Sequence, residues 1–110
     1  MTAWFELNKT TDGQFRFALK ADEKETLLAS ETYHSKSSAQ GAIESVRRNC
    51  ESEGRYDRKV AANGKFYFNL KAGNGEVLGT SHMYPTAEAR DASIAAAMAA
   101  GISTTVRDNT

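Results

Sequence analysis

The stretch 12–35, DGQFRFALKADEKETLLASETYHS, decides the fold once it is laid over 63–86, NGKFYFNLKAGNGEVLGTSHMYPT. Phe15 falls on Phe66, Phe17 on Phe68, Leu19 on Leu70, Lys20 on Lys71 and Ala21 on Ala72. Farther along, Glu25 meets Glu76, Leu27 meets Leu78, Ser30 meets Ser81 and Tyr33 meets Tyr84. The offset is 51 throughout (66 minus 15), and it runs without a gap from Gly13 over Gly64 to Ile43 over Ile94. A constant, ungapped offset of this length marks a duplicated unit, and a repeat outranks any single local motif in reading a fold.

The repeat settles the one motif that invites a nucleotide. Gly73, Gly75 and Gly79 in KAGNGEVLGTS, with Lys71 just upstream, look like a phosphate-cradling loop. The other unit has Asp22, Glu23 and Lys24 where this one has Gly73, Asn74 and Gly75, and two acids in that place repel a phosphate. A phosphate loop also opens onto a helix N-terminus, whereas the strand-like EVLGTS follows here. The shared requirement is a tight reversal, which Gly and Asn supply through positive φ and Asp through its local hydrogen bonds. The loop reads as a hairpin turn.

Each unit has the same order of elements. A short strand (AWFELNK or GRYDRKVA) leads to Asp12-Gly13 or Asn63-Gly64, the strongest short-range hairpin signals. The second strand alternates: Phe15, Phe17 and Leu19, or Phe66, Phe68 and Leu70, point one way, while Arg16, Ala18 and Lys20, or Tyr67, Asn69 and Lys71, point the other. A third strand is expected to put Leu27 and Ala29, or Leu78 and Thr80, on the core side. A helix then starts at a Ser35 or Thr86 cap. The first helix carries Ala39, Ile43, Val46 and Cys50 as one apolar stripe, with Arg47 and Arg48 in its last turn. The second is alanine-rich, with Ile94, Ala97 and Met98 inward and Gly101 as its terminator.

One unit has too little surface to bury its own stripe and aromatic face, so the two must share a core. The expected architecture is α+β: a tandem duplication of a β3-α unit forming one mostly antiparallel, six-stranded sheet. Two helices lie on one face, related by a pseudo-two-fold axis. Residues 1–110 form a single domain with repeats at 4–50 and 55–101, and 102–110 is a C-terminal tail of unassigned position.

Composition narrows the function. The 110 residues balance fourteen basic against fourteen acidic side chains, so no global field draws the chain toward DNA or an anionic membrane. The single cysteine, Cys50, has no internal partner, in keeping with a reducing compartment. The N-terminal MTAWFELNKTTDGQF has no basic segment followed by an apolar run, and no apolar stretch approaches bilayer length. A cytoplasmic protein without a membrane association is expected.

The doubled F-x-F-x-L-K-A core, GEVLGTS-x-x-Y, YHSKSSAQGAIESVRRN and the TVRDNT ending together resemble the YegP-like family of small bacterial proteins, along essentially the entire chain. The resemblance implies two tandem β3-α units in one sheet, with helices exchanged so that each packs over the partner unit. It also implies that single-unit relatives reach this architecture as dimers, which the two repeats replace within one monomer. It brings no assigned activity, catalytic residue or cofactor. ADEKE, where the family's turn contains glycine, leaves only that turn's geometry open.

The chemistry-bearing residues read mostly as structural. Cys50 sits on the apolar stripe at a helix C-terminus, where the dipole disfavours a thiolate, so it reads as a packing thiol. His34 and His82 do not match across the repeat and lack the further ligands a zinc site needs. Ser81 and His82 are adjacent on a strand end, where neighbouring side chains diverge, and no G-x-S-x-G elbow is present. Glu23, Glu25, Glu51, Glu53 and Asp57 read as surface acids. No enzyme, metal or cofactor is expected.

One surface carries a sharper expectation. If the helices cover one sheet face, the other collects Trp4, Arg16, Lys20, Leu28, Tyr67, Lys71 and Val77. Aromatic rings among cations on an open sheet can stack single-stranded bases and contact phosphates, and Trp4, Arg16, Lys20, Tyr67 and Lys71 are the candidate binding residues. Zero net charge and the outward acids Glu6 and Asp57 oppose that reading. The same face also suits a protein partner, and its lysine stems and isolated rings otherwise simply shield the sheet. A non-catalytic binding or accessory protein is the function these residues fit, with weak single-stranded nucleic-acid binding as the alternative.

Overall fold

The computed structural model describes residues 3–110. The first unit contains β1 (Trp4–Lys9), β2 (Phe15–Lys20), β3 (Thr26–Ala29) and α1 (Lys36–Asn49). The second contains β4 (Tyr56–Val60), β5 (Phe66–Lys71), β6 (Val77–Thr80) and α2 (Ala87–Ala100). The tail adds β7 (Val106–Asp108). The sheet runs β4-β5-β6-β3-β2-β1-β7, so the units meet edge to edge at β3 and β6. Among the described residues it has seven strands rather than the six expected: β7 pairs parallel with β1, and every other pairing is antiparallel. The tail carries no hydrophobic period because all three of its strand residues are exposed, and backbone pairing with β1 places it together with the polar contacts Lys36–Asp108 and Arg107–Glu23.

The turns show how different sequences meet one requirement. Gly13, Gly64 and Gly75 have φ of 86°, 81° and 87°, which only glycine adopts freely. Lys24 stands where Gly75 does, and there the chain reverses without positive φ. Asp22 Oδ1 accepts from the backbone N–H groups of Lys24 (2.8 Å) and Glu25 (2.9 Å), closing an Asx turn.

Both helices begin at the expected caps: Ser35 Oγ accepts from Ser38 N, and Thr86 Oγ1 from Ala89 N, at 3.1 Å each. The core is the inward face of the sheet closed by the two helices, with Phe5, Phe17, Phe68, Leu19 and Leu70 against Ala39, Ile43, Val46, Ile94 and Ala97. The helices are not exchanged outright. α1 touches β2 of its own unit and β5 and β6 of the other, while α2 touches β5 as well as β3 and β2. Each helix straddles the seam, because a stripe this wide spans more than one unit's strands.

Two local expectations fail for one physical reason. Between Leu19 and Lys20 the β2–β3 register slips, so that Leu28 opposes Leu19 and Thr26 opposes Lys20, leaving Leu27 as the extra residue. The same slip at Leu70/Lys71 makes Leu78 the extra residue. A bulge suspends strict alternation. Leu28, expected outward, is therefore fully buried alongside Leu27. Ala29 and Thr80, expected inward, pair with Ala18 and Asn69 on the open face instead. Gly101 also differs from its expected role. Its φ is −66°, so no left-handed cap requires the glycine. A Cβ there would lie 2.6 Å from the Cys50 Cβ, so the close approach of the two helix C-termini is what requires it.

Candidate functional site: the open sheet face

Cross-strand register defines the face opposite the helices. Trp4 pairs with Lys20, Glu6 with Ala18, Asn8 with Arg16 and Glu6 with Arg107. Across the seam, Asp57 pairs with Asn69, Lys59 with Tyr67 and Lys71 with Val77. The strands of this face therefore carry five cations (Arg16, Lys20, Lys59, Lys71 and Arg107) against two carboxylates (Glu6 and Asp57), with Glu23 reaching Arg107 from the neighbouring turn, in a chain whose charges balance as a whole. Lys59 and Arg107 were not among the sequence candidates. Alternation in β4 was enough to find Lys59, but nothing in the tail gave the register that places Arg107.

The five candidates lie on this face but do not converge. Trp4, Arg16 and Lys20 sit on β1 and β2, and Tyr67 and Lys71 on β5, with β3 and β6 between them. Three inter-strand steps separate β2 from β5, about 14 Å at ordinary sheet spacing. Arg16 is exposed, whereas Lys20, Tyr67 and Lys71 are half-buried. Trp4 is not an open ring. It is 3% exposed, the Arg107 guanidinium lies 3.8 Å from its ring centroid, and its Nε1 donates to Glu6 Oε2 at 3.4 Å. Arg107 is held in place by Glu23 at 2.9 Å. A stacked cation shields one aromatic face and gains cation–π attraction from it.

Equivalent lysines have different partners. Lys20 Nζ donates to Thr26 Oγ1 at 3.0 Å, while Lys71 Nζ meets Asp57 Oδ2 at 3.1 Å, with Lys59 Nζ on the same oxygen at 3.4 Å. Lys71 first, and Lys59 second, hold the Asp57 carboxyl below its ordinary range. Thr80 Oγ1 donates to Asn69 Oδ1 at 2.7 Å, continuing a polar ladder across β5 and β6.

The other sequence candidates serve the fold. Cys50 is fully buried and its thiol pKa is raised, chiefly by burial and secondly by Glu51. Ser30 Oγ and Ser81 Oγ each accept a backbone N–H, from Phe17 (2.9 Å) and Phe68 (3.0 Å). Each then donates to the next residue's carbonyl, Glu31 or His82. That satisfies the ladder where β3 and β6 end, and it explains why the repeat pairs these two serines. His34 and His82 are exposed. Among the described residues no three His, Cys, Asp or Glu side chains gather as a metal site, and no helix is long and apolar enough to cross a membrane.

Comparison with known proteins agrees with this architecture. A family profile described as a domain of unknown function, DUF1508, matches twice, over residues 11–57 and 61–108. The UPF0339 protein YegP of Escherichia coli K12 is 56% identical over 110 residues, spanning all of both chains. A UPF0339 protein of Shewanella oneidensis is 48% identical over the same length, again spanning both chains. The solution structure of E. coli yegP, described as a protein of unknown function, superposes with a TM-score of 0.94 over 100% of this chain and 95% of that one. That of the S. oneidensis protein superposes with a TM-score of 0.92 over 98% and 92%. With the duplicated unit, the shared sheet and full-length identity in agreement, this chain belongs to the DUF1508 family, in its two-repeat YegP-like form.

Proposed function

We propose that the protein is a non-catalytic binding module that engages an acidic protein partner across the open sheet face. The observation that carries this reading is the charge on that face, where Arg16, Lys20, Lys59, Lys71 and Arg107 outnumber Glu6, Asp57 and the Glu23 that pairs with Arg107. A surplus of one sign on a broad, shallow surface steers an oppositely charged partner and sets its orientation. Nucleic acid is also acidic, but single-strand binders depend on stacking several bases on exposed rings. Here Trp4 lies beneath Arg107, which leaves Tyr67 alone, a half-buried ring on the far side of the seam. A polypeptide needs no such platform.

The test is an amide-shift titration of labelled protein, run in parallel with a Glu/Asp-rich peptide and a mixed single-stranded oligonucleotide pool. Each is run at low and at physiological salt. The expected result is shifts at Arg16, Lys20, Tyr67 and Lys71 with the peptide, weakening with salt, and no ring-current shift at Tyr67 with the oligonucleotides. Silence with the peptide at low salt would sink the reading. Tyr67 ring shifts produced only by the oligonucleotides would replace it with base stacking.

A further inference from the structure

The pseudo-two-fold axis makes the two sheet edges equivalent, yet among the described residues only one of them is covered by a further strand. On the first, Phe5 N donates to Thr105 O (2.9 Å) and Leu7 O accepts from Asn109 N (2.8 Å), so Phe5 and Leu7 turn their backbone groups outward and β7 fills them. The offset of 51 maps Phe5, Glu6 and Leu7 onto Tyr56, Asp57 and Arg58. The inner register agrees, since Phe5 opposes Leu19 and Tyr56 opposes Leu70. Tyr56 and Arg58 therefore turn their backbone groups outward on β4, and among the described residues no strand lies beyond it. The Tyr56 N–H is already bonded to Glu53 O through the 3-10 turn Glu53–Arg55. Among the described residues neither the N–H nor the C=O of Arg58 has a backbone partner outside the sheet.

We infer that the outer edge of β4 is a docking site for an extended polypeptide segment. It adds as an eighth strand parallel to β4, in the register β7 uses on β1, with an acidic residue opposite Lys59 and an apolar one opposite Val60. Edge addition takes its affinity from backbone bonds and its selectivity from alternate side chains, and here the side chains specify the occupant. Val60 is 60% exposed, the largest exposure among the large hydrophobic side chains described, so the position beside it gains from an apolar neighbour. On the opposite face the strand meets Asp57 and Lys59. Because Asp57 already holds both Lys71 and Lys59, that group carries a net positive charge and calls for an acid.

The chain's own tail fits poorly. In the β7 register it would bring Arg107 to this cationic group and Asn109 opposite Lys59, so a second copy's tail is not the occupant. The edge is also a different surface from the Arg16 and Lys20 region of the open face, so shift mapping separates success or failure at one from the other.

The probe is the capped octapeptide TTVTTEVT, titrated into the labelled full chain against the matched control TTVTTKVT, to about 5 mM so that millimolar affinities are covered. With the first valine beside Tyr56, the peptide's glutamate meets Lys59 and its second valine meets Val60. Shifts should be confined to Tyr56–Val60 and the neighbouring Arg55. The glutamate peptide should bind about fivefold tighter than the lysine control, the scale of replacing a like-charge cross-strand pair with an opposite one. Lys59→Glu should invert that preference while leaving the rest of the spectrum in place. A spin label on the peptide's amino end should broaden Tyr56 more than Val60. Absence of shifts, shifts centred on β1 or on Arg16 and Lys20, equal binding of the two peptides, or the reverse broadening order would each overturn the inference.

Discussion

At the seam the two units place equivalent residues against each other and fill the space in opposite ways. Leu28 and Gly79 share one repeat position. A Cβ on Gly79 would sit 3.2 Å from the Leu28 Cβ, so the leucine of one unit occupies the space that the glycine of the other leaves. Cys50 and Gly101 share another, and a Cβ on Gly101 would lie 2.6 Å from the Cys50 Cβ and 2.7 Å from its Sγ. Each axial contact is therefore a large residue against none. Two copies of either of these units related by an exact two-fold would set large against large or none against none at both places, which means a clash or a void. Duplication within one chain removes that constraint, and the seam has used the freedom twice.

The largest test of this comparison separates the units. Residues 1–52 on their own would pair Leu28 with Leu28 and Cys50 with Cys50, while 53–110 would pair glycine with glycine at both places. Neither half should give a dispersed, folded spectrum alone, and an equimolar mixture should. A stable homodimer of either half, detected by ultracentrifugation with native-like circular dichroism, would show that the seam tolerates symmetry after all.

Next in size is Gly101→Val, which drives side-chain atoms into the Cys50 site between two helix ends that have little room to part. Overpacking of a tight core site costs about 3 kcal/mol, to be read from urea unfolding. The informative variant is the exchange Cys50→Gly with Gly101→Cys, which keeps the large-against-none contact and moves it to the other side of the axis. It should recover more than half of the loss. If it unfolds as readily as Gly101→Val, the contact depends on which helix carries the thiol, and the comparison is wrong about what matters.

Much of this was legible beforehand because a repeat multiplies weak signals. Phe15, Phe17 and Leu19 alone indicate a strand. Their recurrence at Phe66, Phe68 and Leu70, with caps at Ser35 and Thr86, indicates a unit, its order and its need for a partner. What stayed hidden depended on contacts that local patterns do not encode. Period-two reasoning misplaced Leu28, Ala29 and Thr80 because a bulge adds Leu27 or Leu78 without any marker residue. Gly101 carries the composition of a helix stop, but its cause is a neighbour 51 positions away in sequence. Trp4 sits on the face that alternation assigns it, yet the exposed tail strand, which has no apolar pattern of its own, supplies the guanidinium that covers it. The candidate site was thus readable as a face and unreadable as a set of accessible groups.

The smallest expected effect is electrostatic, and it sharpens the contrast between the outer strands. Asp57 and Glu6 occupy the same repeat position, but only Asp57 has two lysines on one oxygen, at 3.1 and 3.4 Å. With Lys71 the larger cause and Lys59 the smaller, the folded pKa of Asp57 falls below its ordinary value of 3.8. The sign follows from linkage. A carboxyl depressed on folding contributes stability that is present above its unfolded pKa and is lost as pH falls through the folded one. The contribution should therefore disappear on acidification below about pH 4. Because the group is open to solvent, the stability involved is small and salt-screened, so a direct titration of the Asp57 carboxyl carbon is the sharper measurement. Lys71→Met should move its midpoint back toward the ordinary value by more than Lys59→Met does, and added salt should narrow the difference. If the two variants titrate alike, or Asp57 is unmoved by losing Lys71, then its low pKa does not come from the pairing that distinguishes this edge from the one β7 covers.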